Sequence, residues 1–425
     1  MQRIRVSQDK RHFTMENGDA FFWLADTAWE LFHRPGLADA CHYLDVRASQ
    51  GFNLVQAVVL AELDGIHTPN ANGDKPLINE DPAQPNEPYF EHVDGVINAA
   101  FLRNMYVGLL PAWGDKVNKR YDWAAGPELF NVCNAFGYAR WLALRYKEAC
   151  HIVWILGGDR DPDERGKAIW RAMARGILSA DEGAVITFHP QPFEDRSSSA
   201  WFHGEGWLSF NMLQTGHDRD GPVAEFVAKD YARTPVKPVL NGEPLYEMHP
   251  LSFKAANGYS TDADVRRGAY FSVFAGACGH TYGCHSVWQF FTAGTNGVNY
   301  PLMEWKDALH LAGAYQMEFL HRLIMEHLPL KRVPGNDLLA DGFSERGIIA
   351  TRAGDGSYAF IYTQTGMEIV IQAGLLAGSD FRVRWMNPKD GTRTIPQTVT
   401  RAPTLSFTPP SAGPGCDWVL IIEIA

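Results

Sequence analysis

Two acidic side chains stand where apolar segments of the chain end. Asp159 ends the segment IVWILGGD, and Glu243 lies near the end of KPVLNGEP. Burial destabilises the charged form of a carboxyl group, so a carboxylate in such a place is expected to be paired or used. Two carboxyl groups on either side of a glycosidic bond can supply the acid and the nucleophile that hydrolyse it. Asp159 and Glu243 are therefore the candidate catalytic pair.

Both candidates also have a purely structural interpretation. Asp159 could cap a helix or pair with Arg160, although Asp161 is better placed as the cap. Glu243 could be the partner of a buried Arg or His, because a buried Glu is seldom left unpaired. Glu247 is a weaker rival for the catalytic role and is expected at the rim of the site.

Eight apolar segments recur between residues 21 and 290, each followed by a polar stretch and a segment with helical periodicity. This pattern predicts an α/β fold, a (β/α)₈ TIM barrel, although an open doubly wound sheet remains an alternative. Strand ends at the carboxyl face of a barrel carry the active site, and Asp159 and Glu243 would end the fourth and seventh strands. The eight segments are 21–29, 52–60, 105–113, 152–159, 184–190, 207–213, 237–244 and 279–290.

The character of the chain changes after about residue 330. Short alternating segments such as SYAFIYTQ and DWVLIIEIA are separated by turn-rich links, which is typical of a small β-sandwich. The sequence therefore predicts a catalytic barrel over 1–329, opened by a short hairpin, and a sandwich over 330–425. The stretch 61–88 is rich in Pro, Asn, Asp and Gly and is expected to be a long loop over the active face.

Polar and aromatic residues near the other strand ends are candidates for holding a sugar. An ionised carboxylate such as Asp26 accepts several hydroxyl hydrogen bonds, and the hydroxyl of Tyr282 could donate to the nucleophile. The predicted substrate-binding residues are Asp26, Trp29, Glu62, Trp113, His189, Asn211, Gln214, His280, Tyr282, His285 and Trp288.

Other catalytic chemistries find little support in the sequence. The histidines His189, His280 and His285 could suggest zinc, but their spacing is not that of a helical HExxH pair, so we expect no metal. No GxSxG motif occurs, and Cys278 and Cys284 lack a local basic partner that would activate a thiol. We expect no cofactor.

Charge and hydropathy limit the partners. The formal net charge of −11 disfavours nucleic acid and anionic membranes, whereas a neutral carbohydrate fits. No apolar run is long enough to cross a bilayer, and no secretory signal stands at the N-terminus, so a cytoplasmic location is expected. The six cysteines are expected to be reduced, and the sequence leaves the oligomeric state open.

Four segments together resemble glycoside hydrolase family 140, which contains β-apiosidases. They are WLADTAWELF, GGDRDP, NGEPLYE and GHTYGCHSVWQ, and they occur in the order of that family. The resemblance implies a barrel followed by a β-sandwich that carries a collagen-binding label. It also implies that Asp159 is the acid/base and Glu243 the nucleophile.

The combined prediction is a retaining exo-glycosidase that removes a terminal β-linked pentose from plant-derived glycans or glycosides, with β-D-apiofuranose implied by the resemblance. One alternative is the same mechanism on another sugar, as in an arabinofuranosidase or an endo-glycanase. Another is a catalytically inactive carbohydrate-binding or adhesion protein.

Overall fold

The computed structural model describes residues 1–122, 124–192, 197–328, 331–340 and 347–425. A short antiparallel sheet comes first, formed by β1 (Ile4–Val6), β2 (Phe13–Met15) and β3 (Ala20–Phe21). Eight strands then alternate with helices: β4 (Trp23–Thr27), β5 (Leu54–Leu60), β6 (Tyr106–Ala112), β7 (Ile152–Gly157), β8 (Ile186–His189), β9 (Asn211–Gln214), β10 (Val239–Glu243) and β11 (Gly279–Tyr282). The helices are α1 (Leu37–Ser49), α2 (Glu87–Leu102), α3 (Val132–Arg145), α4 (Glu164–Ala180), α5 (Ser199–Phe202), α6 (Val223–Tyr231), α7 (Asp262–Phe274), α8 (His285–Trp288), α9 (Trp305–Ala308) and α10 (Ala312–Met325).

The eight strands close into a parallel barrel. Six of them form one sheet in the order β11-β4-β5-β6-β7-β8, and β9 pairs with β10. Single backbone hydrogen bonds join the two groups: Ser209 N donates to Ile186 O at 2.8 Å, and Cys278 N donates to Val239 O at 2.8 Å. The predicted TIM barrel is confirmed: seven of the eight predicted segments contain a whole barrel strand, and the segment 207–213 covers all of β9 except Gln214.

Side chains of the barrel strands alternate between two cores. Trp23 and Ala25 pack with Leu54 and Met212 inside the barrel, whereas Leu24, between them, packs in the layer between strands and helices. This alternation follows from the two-residue period of a strand. A polar residue near a strand end therefore faces either the barrel axis or the helices, according to its parity along the strand.

The C-terminal part of the chain is an antiparallel β-sandwich. Six strands form one sheet in the order β12-β13-β14-β19-β16-β17, and β15 pairs with β18 in a second sheet. The predicted boundary between residues 329 and 330 lies outside the described residues. The strands are β12 (Arg332–Pro334), β13 (Ile348–Ala353), β14 (Tyr358–Thr363), β15 (Ile369–Gln372), β16 (Asp380–Met386), β17 (Gln397–Thr400), β18 (Thr404–Phe407) and β19 (Trp418–Ile424).

A buried ion pair connects the barrel with the sandwich. The guanidinium of Arg266, on α7, donates to both carboxylate oxygens of Asp417 at 2.8 and 2.9 Å, and both side chains are buried. Beside them the rings of Tyr270 and Tyr362 stack at 4.6 Å with an interplanar angle of 6°. The sandwich is thus fixed against the outer face of α7. None of the helices within the described residues has the length and apolar character of a membrane span.

Candidate active site

A cavity of about 590 Å³ opens at the carboxyl ends of the barrel strands. Its size falls in the range of roughly 300–1,000 Å³ that is common for small-molecule sites. Among the described residues it is lined by Trp29, Glu62, Leu63, Trp113, Tyr121, Ala124, Ala125, Asp159, Gln191, Pro192, Gln214, His217, Glu243, Tyr246, His249, Phe253, Trp288, Val298 and Asn299. The described part of the sandwich, residues 331–340 and 347–425, contributes no residue to this lining.

The GGD motif turns Asp159 into the cavity. Gly157, Gly158 and Asp159 all have left-handed backbone angles, with φ of 89°, 118° and 53°. A Cβ on Gly157 would lie 2.3 Å from the carbonyl oxygen of His189, and one on Gly158 would lie 2.6 Å from the Trp113 ring. Both positions therefore require glycine. Asp is one of the few other residues that tolerate this conformation.

Asp159 is held in an environment that favours its protonated form. Gln214 Nε2 donates to Oδ1 at 3.0 Å, and Arg160 Nη1 lies 3.5 Å from Oδ2. Burial and then the negative charge of Glu243 raise the pKa of Asp159 to about 6, although Arg160 opposes the shift. Most Asp159 side chains therefore keep a proton below pH 6, and about a tenth of them still carry one that they can donate at pH 7.

Glu243 has the opposite character. His189 Nε2 lies 3.0 Å from Oε2, and His217 Nε2 lies 3.4 Å from Oε1. Burial disfavours the charged carboxylate, but the two histidines outweigh it and lower the pKa of Glu243 to about 2. The two carboxyl groups are close enough to interact electrostatically, yet one favours the acid and the other the anion.

A tyrosine completes the surroundings of Glu243. The hydroxyl of Tyr246 accepts a hydrogen bond from Trp29 Nε1 at 3.1 Å. Burial and then the charge of Glu243 raise the pKa of Tyr246 well above its ordinary value, so its hydroxyl keeps the proton that it donates toward Glu243. Tyr246 thus has the place that the sequence assigned to Tyr282.

Most of the predicted sugar contacts lie in or directly behind the cavity. Trp29, Glu62, Trp113, Gln214 and Trp288 line it. His189 lies beneath Glu243, with its ring 5.4 Å from that of Trp29 and 5.8 Å from that of Trp113. His285 stands behind Trp288, whose Nε1 donates to His285 Nδ1 at 3.4 Å. These two histidines support the lining residues from behind.

Asp26 and Asn211 are corrections, because strand alternation turns both toward the helices. Asp26 is buried outside the barrel, where it accepts from Arg47 Nε at 2.6 Å and from the hydroxyl of Tyr43 at 2.7 Å. Asn211 contacts His203 Nδ1 at 3.2 Å. Neither side chain reaches the cavity.

His280 and Tyr282 on β11 are corrections for the same reason. Tyr282 donates to Glu247 at 2.5 Å instead of to Glu243. Glu247 is itself buried and accepts from Gly313 N at 3.1 Å, so it does not lie at the rim. His280 is fully buried, and neither of its ring nitrogens has a hydrogen-bond partner among the described residues.

Several residues at the cavity were missed from the sequence because they belong to loops and not to strand ends. His217 follows β9, and its ring stacks on that of His249 at 4.1 Å. Tyr246 and His249 stand three and six residues after Glu243, within NGEPLYEMHP. The sequence does contain a signal for Tyr246 and His249, because both are polar aromatic residues that closely follow the candidate nucleophile.

Two family models divide the chain between them. Residues 7–331 match the model described as "Apiosidase-like, catalytic domain". The chain belongs to the apiosidase-like family of glycoside hydrolases. Residues 333–423 match the model described as "Putative collagen-binding domain of a collagenase". No relative was found among curated protein sequences.

Solved structures agree with this membership. A protein named "Glycoside hydrolase" is 31% identical, with 100% of this chain and 97% of that chain covered and a TM-score of 0.90. A glycoside hydrolase family 5 protein from Bacteroides vulgatus is 32% identical, with 99% and 93% covered and a TM-score of 0.90. An exo-β-1,4-mannosidase from an Opitutaceae bacterium, 15% identical over 77% of this chain and 63% of that chain, has a TM-score of 0.52 and shares the fold. This apiosidase-like protein is therefore a glycoside hydrolase with a carbohydrate substrate.

Proposed function

We propose that the protein is a retaining exo-glycosidase of family 140 that releases terminal β-D-apiofuranose from plant-derived glycans or glycosides. The observation that carries the proposal is the unequal protonation of its two facing carboxyl groups. Burial and then the charge of Glu243 raise the pKa of Asp159 to about 6, whereas two histidines lower the pKa of Glu243 to about 2. The apiosidase-like family model supports the choice of sugar.

The first step of the mechanism forms a covalent intermediate. A carboxylate oxygen of Glu243 attacks the anomeric carbon while the bond to the leaving oxygen breaks. The proton of Asp159 passes to that oxygen, so the product leaves as a neutral alcohol. Tyr246 and His217 hold the attacking carboxylate in place.

The second step reverses the role of Asp159. Once Glu243 is esterified it carries no charge, and the electrostatic effect that raised the pKa of Asp159 disappears. Asp159 then favours the carboxylate form, removes a proton from water and regenerates free Glu243 as the sugar departs. This switch between acid and base favours retention over inversion.

The shape of the cavity supports action at a chain end. The indole rings of Trp29 and Trp113 lie 5.1 Å apart at its base, and Trp288 lines it as well. Aromatic faces of this kind stack against the apolar faces of a sugar ring. Protein residues that follow all eight barrel strands surround these rings. A cavity enclosed in this way suits the terminal sugar of a chain better than a sugar in the middle of a polymer.

Release of monosaccharide from aryl β-glycosides tests the proposal. The panel contains the apiofuranoside, arabinofuranoside, xylopyranoside and glucopyranoside, assayed with the wild type and with Glu243→Ala. We expect apiose release by the wild type only, with the β-anomer as the first product by NMR. Preferential cleavage of another glycoside, oligosaccharide products or an inverted first product would each contradict the proposal.

Asp159→Ala separates the two roles. The first step on aryl glycosides with strongly acidic leaving groups should largely survive, because these groups need little protonation, whereas alkyl glycosides should lose nearly all turnover. Equal loss on both substrate types would contradict the role of Asp159 as acid.

A further inference from the structure

The side of the cavity near Glu243 carries a group of three histidines. Glu243 attacks the anomeric carbon and Asp159 protonates the departing oxygen, so the sugar that is attacked lies on the Glu243 side. The protein residues around Glu243 come from the loops that follow β9, β10 and β11. Within these loops the ring of His249 lies 4.1 Å from that of His217 and 4.5 Å from that of His285.

Two of the three histidines have no ring nitrogen left for a ligand. His217 Nε2 lies 3.4 Å from the carboxylate of Glu243, and His217 Nδ1 is buried without a partner among the described residues. His285 Nε2 donates to the carbonyl oxygen of Asn299 at 2.9 Å. His285 Nδ1 accepts from Trp288 Nε1 at 3.4 Å.

His249 differs because one of its ring nitrogens is unused. Nδ1 lies 2.8 Å from the carbonyl oxygen of Pro250, which can only accept, so Nδ1 carries the hydrogen. Burial and then the neighbouring His217 and His285 lower the pKa of His249, so the ring stays uncharged and Nε2 keeps its lone pair. The residue is only 2% exposed, but it lines the cavity, and Nε2 is neither enclosed nor hydrogen-bonded within the described part of the chain.

The loop around His249 holds the ring in one position. Met248, Ser252 and Phe253 have left-handed backbone angles, with φ of 59°, 52° and 60°. Such strain persists only where the surroundings impose it, and it is concentrated at functional sites. His249 N donates to Ser260 Oγ at 3.0 Å, and the ring of Phe253 meets the imidazole edge-on at 4.9 Å. An acceptor that is fixed in this way loses little conformational entropy when a ligand binds.

We infer that His249 is a specificity-determining residue, whose Nε2 accepts a hydrogen bond from a hydroxyl of the sugar that Glu243 attacks. The inference rests on the proposed function for the direction in which the glycoside binds, but not for the identity of the sugar. A sugar that lacks this hydroxyl would leave the Nε2 lone pair without a donor. Such an analogue should therefore be a poor substrate.

Aryl glycosides that each lack one hydroxyl of the sugar test this inference. The substrates are the glycoside of the panel above that the wild type cleaves fastest and its monodeoxy analogues. His249→Phe keeps an aromatic ring but has no acceptor, and His249→Gln returns an amide oxygen near the place of Nε2. The control His42→Phe alters an exposed histidine on α1.

We expect His249→Phe to lower kcat/KM about tenfold on the parent glycoside, the effect of one lost hydrogen bond to a buried acceptor. On one monodeoxy analogue the wild type should lose about the same factor, and there His249→Phe should stay within about twofold of the wild type. On the parent glycoside His249→Gln should keep at least about a third of the wild-type kcat/KM, and His42→Phe should match the wild type. The comparison between substrates is made within each variant, so a partial loss of folded protein does not imitate it.

The outcomes separate the role of His249 from the choice of sugar. A purely structural role would lower kcat/KM by the same factor on every substrate, and that result, or full activity of His249→Phe on the parent glycoside, would overturn the inference. Cleavage of a glycoside other than the apioside, with a loss that depends on one hydroxyl, would support the inference and contradict the proposed sugar.

A binding measurement covers the case in which no glycoside of the panel is cleaved. The probes are free D-apiose, L-arabinose, D-xylose and D-glucose, titrated by the fluorescence of the cavity tryptophans Trp29, Trp113 and Trp288. Saturable binding of one sugar that His249→Phe weakens about tenfold would support the inference. Equal binding by the wild type and His249→Phe, or no binding of any of the four sugars, would overturn it.

Discussion

Replacing Asp159 with asparagine should stabilise the folded protein at neutral pH while it removes the general acid. The pKa of Asp159 is raised from 3.8 to about 6 by burial and then by the charge of Glu243. Asparagine is nearly isosteric, can still accept from Gln214 and tolerates the left-handed backbone at this position. It therefore removes the buried charge with little other change.

The sign of the effect follows from the proton count. The folded state binds a proton at Asp159 more tightly than the unfolded chain, so ionisation destabilises the fold as pH rises from about 4 to above 6. Where Asp159 is ionised in both the folded and the unfolded state, the pKa difference between 3.8 and about 6 lowers the free energy of unfolding by about 3 kcal/mol. The same relation gives about 1 kcal/mol at pH 4.5, where the unfolded chain is largely ionised and the folded protein is not.

Urea denaturation at pH 7.5 and pH 4.5 measures this difference. Asp159→Asn should exceed the wild type in unfolding free energy by up to about 3 kcal/mol at pH 7.5 and by about 1 kcal/mol at pH 4.5. The control Asp220→Asn alters an exposed aspartate and should show no such dependence. The reasoning would be refuted if Asp159→Asn were no more stable than the wild type at pH 7.5. It would also be refuted if the gain in unfolding free energy were the same at both pH values.

Three further predictions concern catalysis and the domain contact. The kcat/KM of the wild type should fall as pH rises through about 6, because Asp159 loses its proton there, and a pH–rate profile that stays flat to pH 9 would contradict its role. Tyr246→Phe should lower kcat/KM at least about tenfold by removing a donor to Glu243. Tyr282→Phe should change kcat/KM less than about threefold, because Tyr282 donates to Glu247 instead. Comparable losses in the two variants would contradict these positions of the two tyrosines. Arg266→Ala should lower the unfolding free energy by about 3–5 kcal/mol, because the buried carboxylate of Asp417 would keep its hydrogen bond from Tyr362 but lose its cationic partner. Denaturation that matches the wild type would show that the contact contributes nothing.

Strand and helix patterning carried the prediction of the fold. Each of the eight apolar segments covers a barrel strand to within one residue at its end or better, and the alternating segments after residue 330 lie in the sandwich. Burial of apolar side chains at a fixed period is a local property of the chain, which is why the sequence shows it. The candidate catalytic pair came from the same source, since a carboxylate at the end of an apolar strand is conspicuous. Their roles stay predictions until the variants are measured.

The errors came from one missing quantity, the direction of each side chain about its strand. Asp26 and Tyr282 are polar and close to strand ends, as predicted, yet both face the helices, where Arg47 and Glu247 are their partners. Whether a residue is at an odd or an even position along its strand decides which way its side chain points. The sequence gives these positions, but only the three-dimensional register of the strand shows which of the two sets faces the barrel axis.

The sequence by itself determined the number and order of the barrel strands, the presence of a barrel followed by a sandwich, and the two carboxyl groups at the strand ends. Only the tertiary structure decided what surrounds those groups. His217 approaches Glu243 from the loop after β9, and Tyr121 lines the same cavity from the loop after β6. Such contacts depend on distances in three dimensions, and so do the pKa differences that follow from them. A local pattern of residues does not specify these distances.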